Sequence, residues 1–316
     1  MADSSSTNLS ILNRPFGFST ADRVRFVARY IFSKVFHLWR EVHTPRLRFF
    51  VYEMVYSAWK VTKRPSLGMR WLRIDKVKTI FGTFNVRPGT MDVACVSPAF
   101  ERPDLDLLLA LLEEPLKAGR SVLFLDIGAD LGTYAVAVAK RLHELGDIRV
   151  LAFEPSQSSF ALLRRNLEDN GLIEVVQQRQ LALGDGLESS TTLRFDFANP
   201  CHSLLATAPR EGTVSEHVTL STIDQEISGE VDFDVLAIKM DVEGSEVPVL
   251  MGAAKTLGSA REVLLLVEDF MDPRVVDYLE STGWKFTRKL TPYNSFWSLS
   301  SDAAGDEQDS VLKGAA

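Results

Sequence analysis

Cysteine is nearly absent: the 316 residues hold two, Cys95 and Cys201, and neither sits in a Cys-x-x-Cys or Cys/His cluster. That excludes a disulfide scaffold and a thiolate zinc site. Long apolar runs are missing as well. No stretch approaches the roughly 18 consecutive apolar residues that a membrane span requires. The opening MADSSSTNLS lacks the basic and apolar regions of a secretory signal. The expectation is a cytoplasmic chain that does not span a membrane. Compositional bias is lacking too. With 46% apolar and 24% charged residues, the chain can pack a core, and disordered or collagen-like classes are excluded. Its length suits one large α/β domain with a smaller appendage.

What is present is unevenly placed. The first 80 residues carry 15 Lys/Arg against 5 Asp/Glu, whereas the remaining 236 carry 20 against 37. The two parts therefore face different partners. In residues 22–43, Val24, Val27, Ile31, Val35, Leu38 and Val42 recur at helical spacing, and Leu47, Phe50, Val51, Met54, Val55, Ala58 and Trp59 repeat the pattern after Thr44-Pro45. Residues 1–75 thus read as a basic, amphipathic helical extension. Its apolar faces either cap the main domain or lie on an anionic membrane through residues 20–65, with Trp39 and Trp59 at headgroup level. No nucleic-acid motif accompanies the charge, so no nucleic-acid partner is expected.

Residues 76–120 read as a hairpin, Lys78 to Val86 and Met91 to Val96, followed by a leucine-rich helix that Pro115 interrupts or ends. From Ser121 to Leu299 the pattern alternates strand and helix, the mark of a parallel sheet with right-handed crossovers. The expected fold is α/β, a doubly wound, mostly parallel sheet of seven strands. Trp284 to Leu290 and Ser295 to Leu299 read as an antiparallel edge pair. The polar tail, 300–316, reads as disordered.

The segment LFLDIGADLGTY, residues 123–134, carries the first chemical signal. A buried strand runs into Asp126, and Gly128 and Gly132 flank a turn that opens a helix and lets a ligand approach the backbone. Asp130 stands where a pyrophosphate loop would want glycine, so the loop favours a cationic ligand over phosphates. The next strand ends in LAFEP, with Glu154 placed to accept ribose hydroxyls. The third unit ends in LALGD, with Asp185 placed toward an adenine edge. In AIKMDVEGSE, Lys239 lies inside an apolar strand, which calls for a carboxylate partner, and Asp241, Glu243 and Glu246 crowd the carboxyl edge.

Taken in order, DIGADLGTY, AFEPSQSSFALLRRNLEDN, ALGD, HSL, LSTID and IKMDVEGSEVPVLMGA resemble the FkbM-type S-adenosylmethionine-dependent methyltransferases, a branch of the class I methyltransferase fold. The resemblance covers about residues 90–299. It implies a seven-stranded, doubly wound sheet whose last strand is antiparallel, with the methyl donor over the first two strands. It also implies O-methylation of sugars, glycolipids or natural products. Asp130 departs from the Asn usual in the family.

On this reading S-adenosylmethionine is the cofactor, bound by Asp126, Gly128, Asp130, Gly132, Glu154 and Asp185. Asp241 or Glu243 serves as general base, with His202 as the competing base and Lys239 holding Asp241 ionised. The acceptor is a small molecule or a glycan- or lipid-linked hydroxyl. Asp241, Glu243 and Glu268 offer hard oxygen donors that suit magnesium, but their spacing is not diagnostic and no metal is assigned. A nicotinamide-dependent oxidoreductase and a membrane-peripheral adaptor with a degenerate methyltransferase fold are the alternatives.

Overall fold

The computed structural model describes residues 41–43, 74–196, 199–205, 213–228, 232–270, 272 and 274–300. Most of the basic extension, and with it the choice between cap and membrane surface, lies outside the described residues. Its described piece, residues 41–43, is anchored: Val42 bridges Thr79 and is fully buried in the main core, and Glu41 pairs with Arg102. The expectation of a disordered tail falls outside as well, except that Ser300 closes a strand.

The chain enters through a short antiparallel hairpin, β1 (Lys76–Lys78) and β2 (Thr83–Asn85). This corrects the hairpin read from the sequence. Met91 to Val96 is not its second arm but contains a helical turn, α1 (Asp92–Cys95). The buried Val93, Ala94 and Val96 gave the run its strand-like apolar look. In α2 (Arg102–Lys117) the helix continues through Pro115 rather than stopping at it. Pro115 lies in the last turn, where only one backbone bond is forfeited.

The central elements then alternate: β3 (Val122–Ile127), α3 (Thr133–Leu142), β4 (Ile148–Phe153), α4 (Gln157–Asp169) and β5 (Val176–Arg179). Next come β6 (Ala182–Leu183), β7 (Ser190–Asp196), β8 (Asn199–Leu205), β9 (Thr213–Ser221) and the turn α5 (Ile223–Glu226). The series ends with β10 (Val235–Met240), α6 (Glu246–Met251), α7 (Ala254–Ser259), β11 (Glu262–Glu268), α8 (Arg274–Ser281), β12 (Lys285–Arg288) and β13 (Asn294–Ser300).

Seven strands form the main sheet in the order β12-β13-β11-β10-β3-β4-β5, with β13 antiparallel to both its neighbours. This is the doubly wound class I methyltransferase topology. The strands β6 to β9 form a separate four-stranded sheet. The helical stretch from Glu246 to Ser259 is split at Gly252, where an added Cβ would lie 2.0 Å from the Gly184 carbonyl oxygen. None of the described helices is long and apolar enough to cross a membrane.

Alternation along the strands sorts the core. Val122, Phe124, Val235 and Ala237 face α2 and α3, while Leu123, Leu125, Leu236 and Ile238 face Val249, Leu250, Val275 and Leu279 on the other side. Burying each such side chain contributes about 1.5–3 kcal/mol. The same alternation puts Asp126 and Lys239 on the α2/α3 side, at the strands' carboxyl ends.

Candidate functional site

β3 and β10 are neighbours, and their register places Lys239 directly opposite Asp126. Both side chains are buried, at 6% and 1% exposure. Both stand at the carboxyl ends of their strands, the side on which doubly wound folds bind ligands.

On the β3 side, Asp126 Oδ2 accepts the Ala135 N–H at 2.8 Å, while Oδ1 is buried with no hydrogen-bond partner. Burial pushes this carboxyl up to about 6, with Lys239 opposing the rise. The following loop runs through Gly128, Asp130 and Gly132, all at positive φ (76°, 44° and 84°). The two glycines also meet a packing demand. A Cβ on Gly128 would lie 1.8 Å from the Asp241 carbonyl oxygen, and one on Gly132 would lie 2.5 Å from Leu163 Cδ1. The space beside them is taken by the protein itself, so glycine here lets the loop lie against the backbone leaving β10 and against α4.

Glu154 follows β4 and clasps that loop. Its Oε2 accepts the Asp130 N–H at 2.9 Å and its Oε1 the Ser156 N–H at 2.8 Å. Burial, then the neighbouring Asp130 carboxylate, raises it to about 8. Asp126, Asp130 and Glu154 thus form one group. Asp185 stands apart: its carboxylate accepts the Leu187 N–H at 3.0 Å in a turn of its own.

On the β10 side, Lys239 Nζ lies 3.4 Å from Asp241 Oδ2 and 5.2 Å from the centre of the Tyr134 ring. Burial alone would lower the lysine's pKa, but Asp241, Asp126 and Glu101 outweigh it and the net shift is upward. Glu268, at the end of β11, is shifted strongly upward by burial and then by its hydrogen-bonded neighbour Asp241. The two carboxyls titrate as one pair, and its negative charge faces Lys239. Carboxylate oxygens of Asp241, Glu243 and Glu268 lie within 4.8 Å of one another, a spacing that a divalent cation with oxygen ligands fits. Glu246, read from the sequence as one more acid at the edge, is instead fully buried. Its Oε1 accepts the Val242 and Gly244 N–H groups, each at 3.2 Å, and so shapes the turn that presents Asp241 and Glu243.

Two residues join this side unannounced. The Tyr134 hydroxyl, on α3, donates to Glu101 Oε2 at 2.9 Å, and Glu101 feels both Asp241 and Lys239. Glu101 sits at φ 45° at the head of α2. Such a conformation in a non-glycine residue marks positions where the fold tolerates strain, and nothing in the local sequence signals it. His202, the competing base, lies on β8, the end strand of the separate four-stranded sheet, and not in a loop as the sequence suggested. The Asn-Pro before it reads as a turn in sequence, yet Asn199 pairs with Asp196 across a hairpin. Its side chain lies outside the described atoms.

A family model described as the methyltransferase FkbM domain matches residues 126–286, from the Asp126 loop to β12. The chain belongs to the FkbM methyltransferases. A hexuronic acid methyltransferase, AglP, of Haloferax volcanii is 29% identical over 196 residues, covering 61% of this chain and 74% of the relative. Among solved structures, a Geobacter sulfurreducens methyltransferase is 18% identical over 65% of this chain and 87% of its own, with a TM-score of 0.38. The Pyrococcus abyssi tRNA (uracil-54, C5)-methyltransferase in complex with S-adenosyl-L-homocysteine is 12% identical over 71% of this chain and 43% of its own, also with a TM-score of 0.38. Scores this low add nothing to the topology drawn above. The FkbM match begins after Glu101 and Arg87, so part of this methyltransferase's charged cluster comes from outside the matched region.

Proposed function

We propose that this methyltransferase moves a methyl group from S-adenosylmethionine to a hydroxyl oxygen of a sugar, free or carried on a glycan or lipid. The observation that carries the reading is the juxtaposition of two acidic groups across the β3–β10 seam. Asp126, Asp130 and Glu154 lie on one side, and the Lys239–Asp241–Glu268 cluster on the other, with Gly128 packed directly on Asp241. The first group fits a donor that is cationic and rich in hydroxyls. Asp126 keeps a buried, unpartnered oxygen, and Asp130 and Glu154 set two more carboxyls beside it.

When bound, S-adenosylmethionine supplies a methyl group already activated by its sulfonium leaving group. Asp126 and Asp130 would hold its positive end and Glu154 its ribose. Asp241 accepts the proton that the acceptor hydroxyl must lose. Lys239 positions Asp241 and keeps it ionised, and Glu268 lends it a hydrogen bond. Glu243 is the neighbouring carboxylate at the mouth of the same turn. The AglP relative, by its name, acts on a hexuronic acid, and this supports a sugar acceptor here.

The test is transfer from isotopically labelled donor to a panel of neutral hexoses, hexuronic acids and glycolipid extracts, read by mass spectrometry as the gain of one labelled methyl. Label on oxygen supports the reading, and a panel without label in a donor-binding protein refutes the acceptor class. Glu154→Ala is expected to weaken donor binding by about 1–3 kcal/mol, since ribose hydroxyls lose a charged acceptor. It should also lower the melting temperature, because the Asp130 and Ser156 N–H groups lose their partner. Calorimetric titration with S-adenosylhomocysteine checks the first effect, and unchanged affinity removes Glu154 from the site.

A further inference from the structure

Arg87 lies between the β1–β2 hairpin and α1, outside the region matched by the family model. Its guanidinium spends every N–H it has. Nε donates to Asp92 Oδ2 at 2.7 Å, and Nη2 donates to Asp92 Oδ1 at 3.0 Å and to Asp130 Oδ1 at 3.3 Å. Nη1 reaches Ser158 Oγ at 3.1 Å and Ser159 Oγ at 3.3 Å. Its backbone N–H donates to Asp92 Oδ2 as well, at 2.8 Å. Asp92 is completely buried, and Arg87 and Asp130 expose only about a fifth of their side chains. One side chain therefore ties together the segment ahead of the core, the Asp130 loop and the start of α4. Lysine, with three donors on a point charge, cannot reproduce that fork.

The charge matters as much as the fork. Asp130 is held at φ 44°, its N–H on Glu154 and its carboxylate between Arg87 and the Ser159 hydroxyl, which donates at 2.8 Å. Among the described residues, the charged groups that act most on Asp130 and Glu154 include Arg87, Asp92 and Asp241, with Asp126 beside them. Arg87 is the cation among these four.

We propose that Arg87 is a positioning residue of the donor site: it fixes the loop at Asp130 and sets a positive charge beside the Asp130 and Glu154 carboxyls, which eases their ionisation. The inference rests on the donor reading above, because these two carboxyls are what would hold the donor's hydroxyls and positive end. The sign follows directly. Removing a nearby cation makes a carboxylate easier to protonate, so affinity that needs the carboxylate is lost at a higher pH. Removing a like charge does the reverse.

The test is titration of the full chain with S-adenosylhomocysteine from acid to alkaline pH. Arg87→Met is expected to move the midpoint of the affinity profile up by about one unit. Asp130→Asn, with Arg87 in place, should move it down, and adding Asp130→Asn to Arg87→Met should bring the raised midpoint back toward the unsubstituted value. Should Arg87→Met fail to fold because Asp92 is left buried and unpaired, Asp130→Asn alone decides. An unmoved midpoint in Asp130→Asn, or a loss of affinity in Arg87→Met that is equal at every pH, overturns the proposal and leaves Arg87 a structural brace. If the unsubstituted chain binds no S-adenosylhomocysteine at any pH, the donor reading itself fails. The two failures are thus told apart.

Discussion

Asp241→Asn should bind the donor normally and turn over about 10²- to 10⁴-fold more slowly, the loss expected when a positioned general base is removed. The amide is nearly isosteric and keeps an oxygen toward Lys239, so the fold has little reason to change. What it loses is the capacity to take a proton. Donor affinity from calorimetry and turnover under saturating acceptor separate the two quantities. A variant at the unsubstituted rate would move the base to Glu243 or His202, and His202→Ala measured on the same acceptor decides between them.

Gly128→Ala should be more damaging than its single methyl suggests. The added carbon would lie 1.8 Å from the Asp241 carbonyl oxygen, and the residue would be held at φ 76°. A backbone atom cannot rotate away as a side chain can. The left-handed conformation and the overpacking together cost about 2–5 kcal/mol, a large share of the stability of an ordinary domain. The melting temperature should fall by several degrees. Because relief requires β3's loop to draw away from the turn after β10, donor binding and turnover should fall together. A variant with full stability and activity would show that the loop and Asp241 are not held as closely as described.

The central sheet was legible because its signals are local. Apolar strands ending in Asp126 and Glu154, each followed by a helix-opening turn, can be read from a dozen residues at a time, and Lys239 in VLAIKM announces a buried partner by its chemistry. The antiparallel β12–β13 pair was legible for the same reason. What escaped depends on conformation or on distant contact. Met91 to Val96 has a strand-like composition, but it lies on the core as a helical turn fixed by the Arg87–Asp92 pair. Asn199-Pro200 looks like a loop and is the start of a strand. Glu101 and Arg87 reach the site from elements read only as a lead-in to the core, and a positive φ at Glu101 leaves no mark in the sequence. The glycines of the Asp130 loop were legible, but their packing was not: Gly128 lies against the Asp241 carbonyl and Gly132 against the Leu163 side chain.

The position of β13 has a consequence for how the molecule is made. β12 has β13 as its one partner in the sheet, and β13 sits between it and β11. A nascent chain emerges N-terminal end first, so β12 leaves the ribosome with nothing yet to pair to, while Val263 to Val267 of β11 offer an unpaired apolar edge. Such an edge is a template for strands of other chains. It is closed only when residues 294–300 slide in antiparallel between two strands already synthesised. The interval before that insertion is when chains at high expression would associate edge to edge, and a truncation after Arg288 would make that vulnerable state permanent.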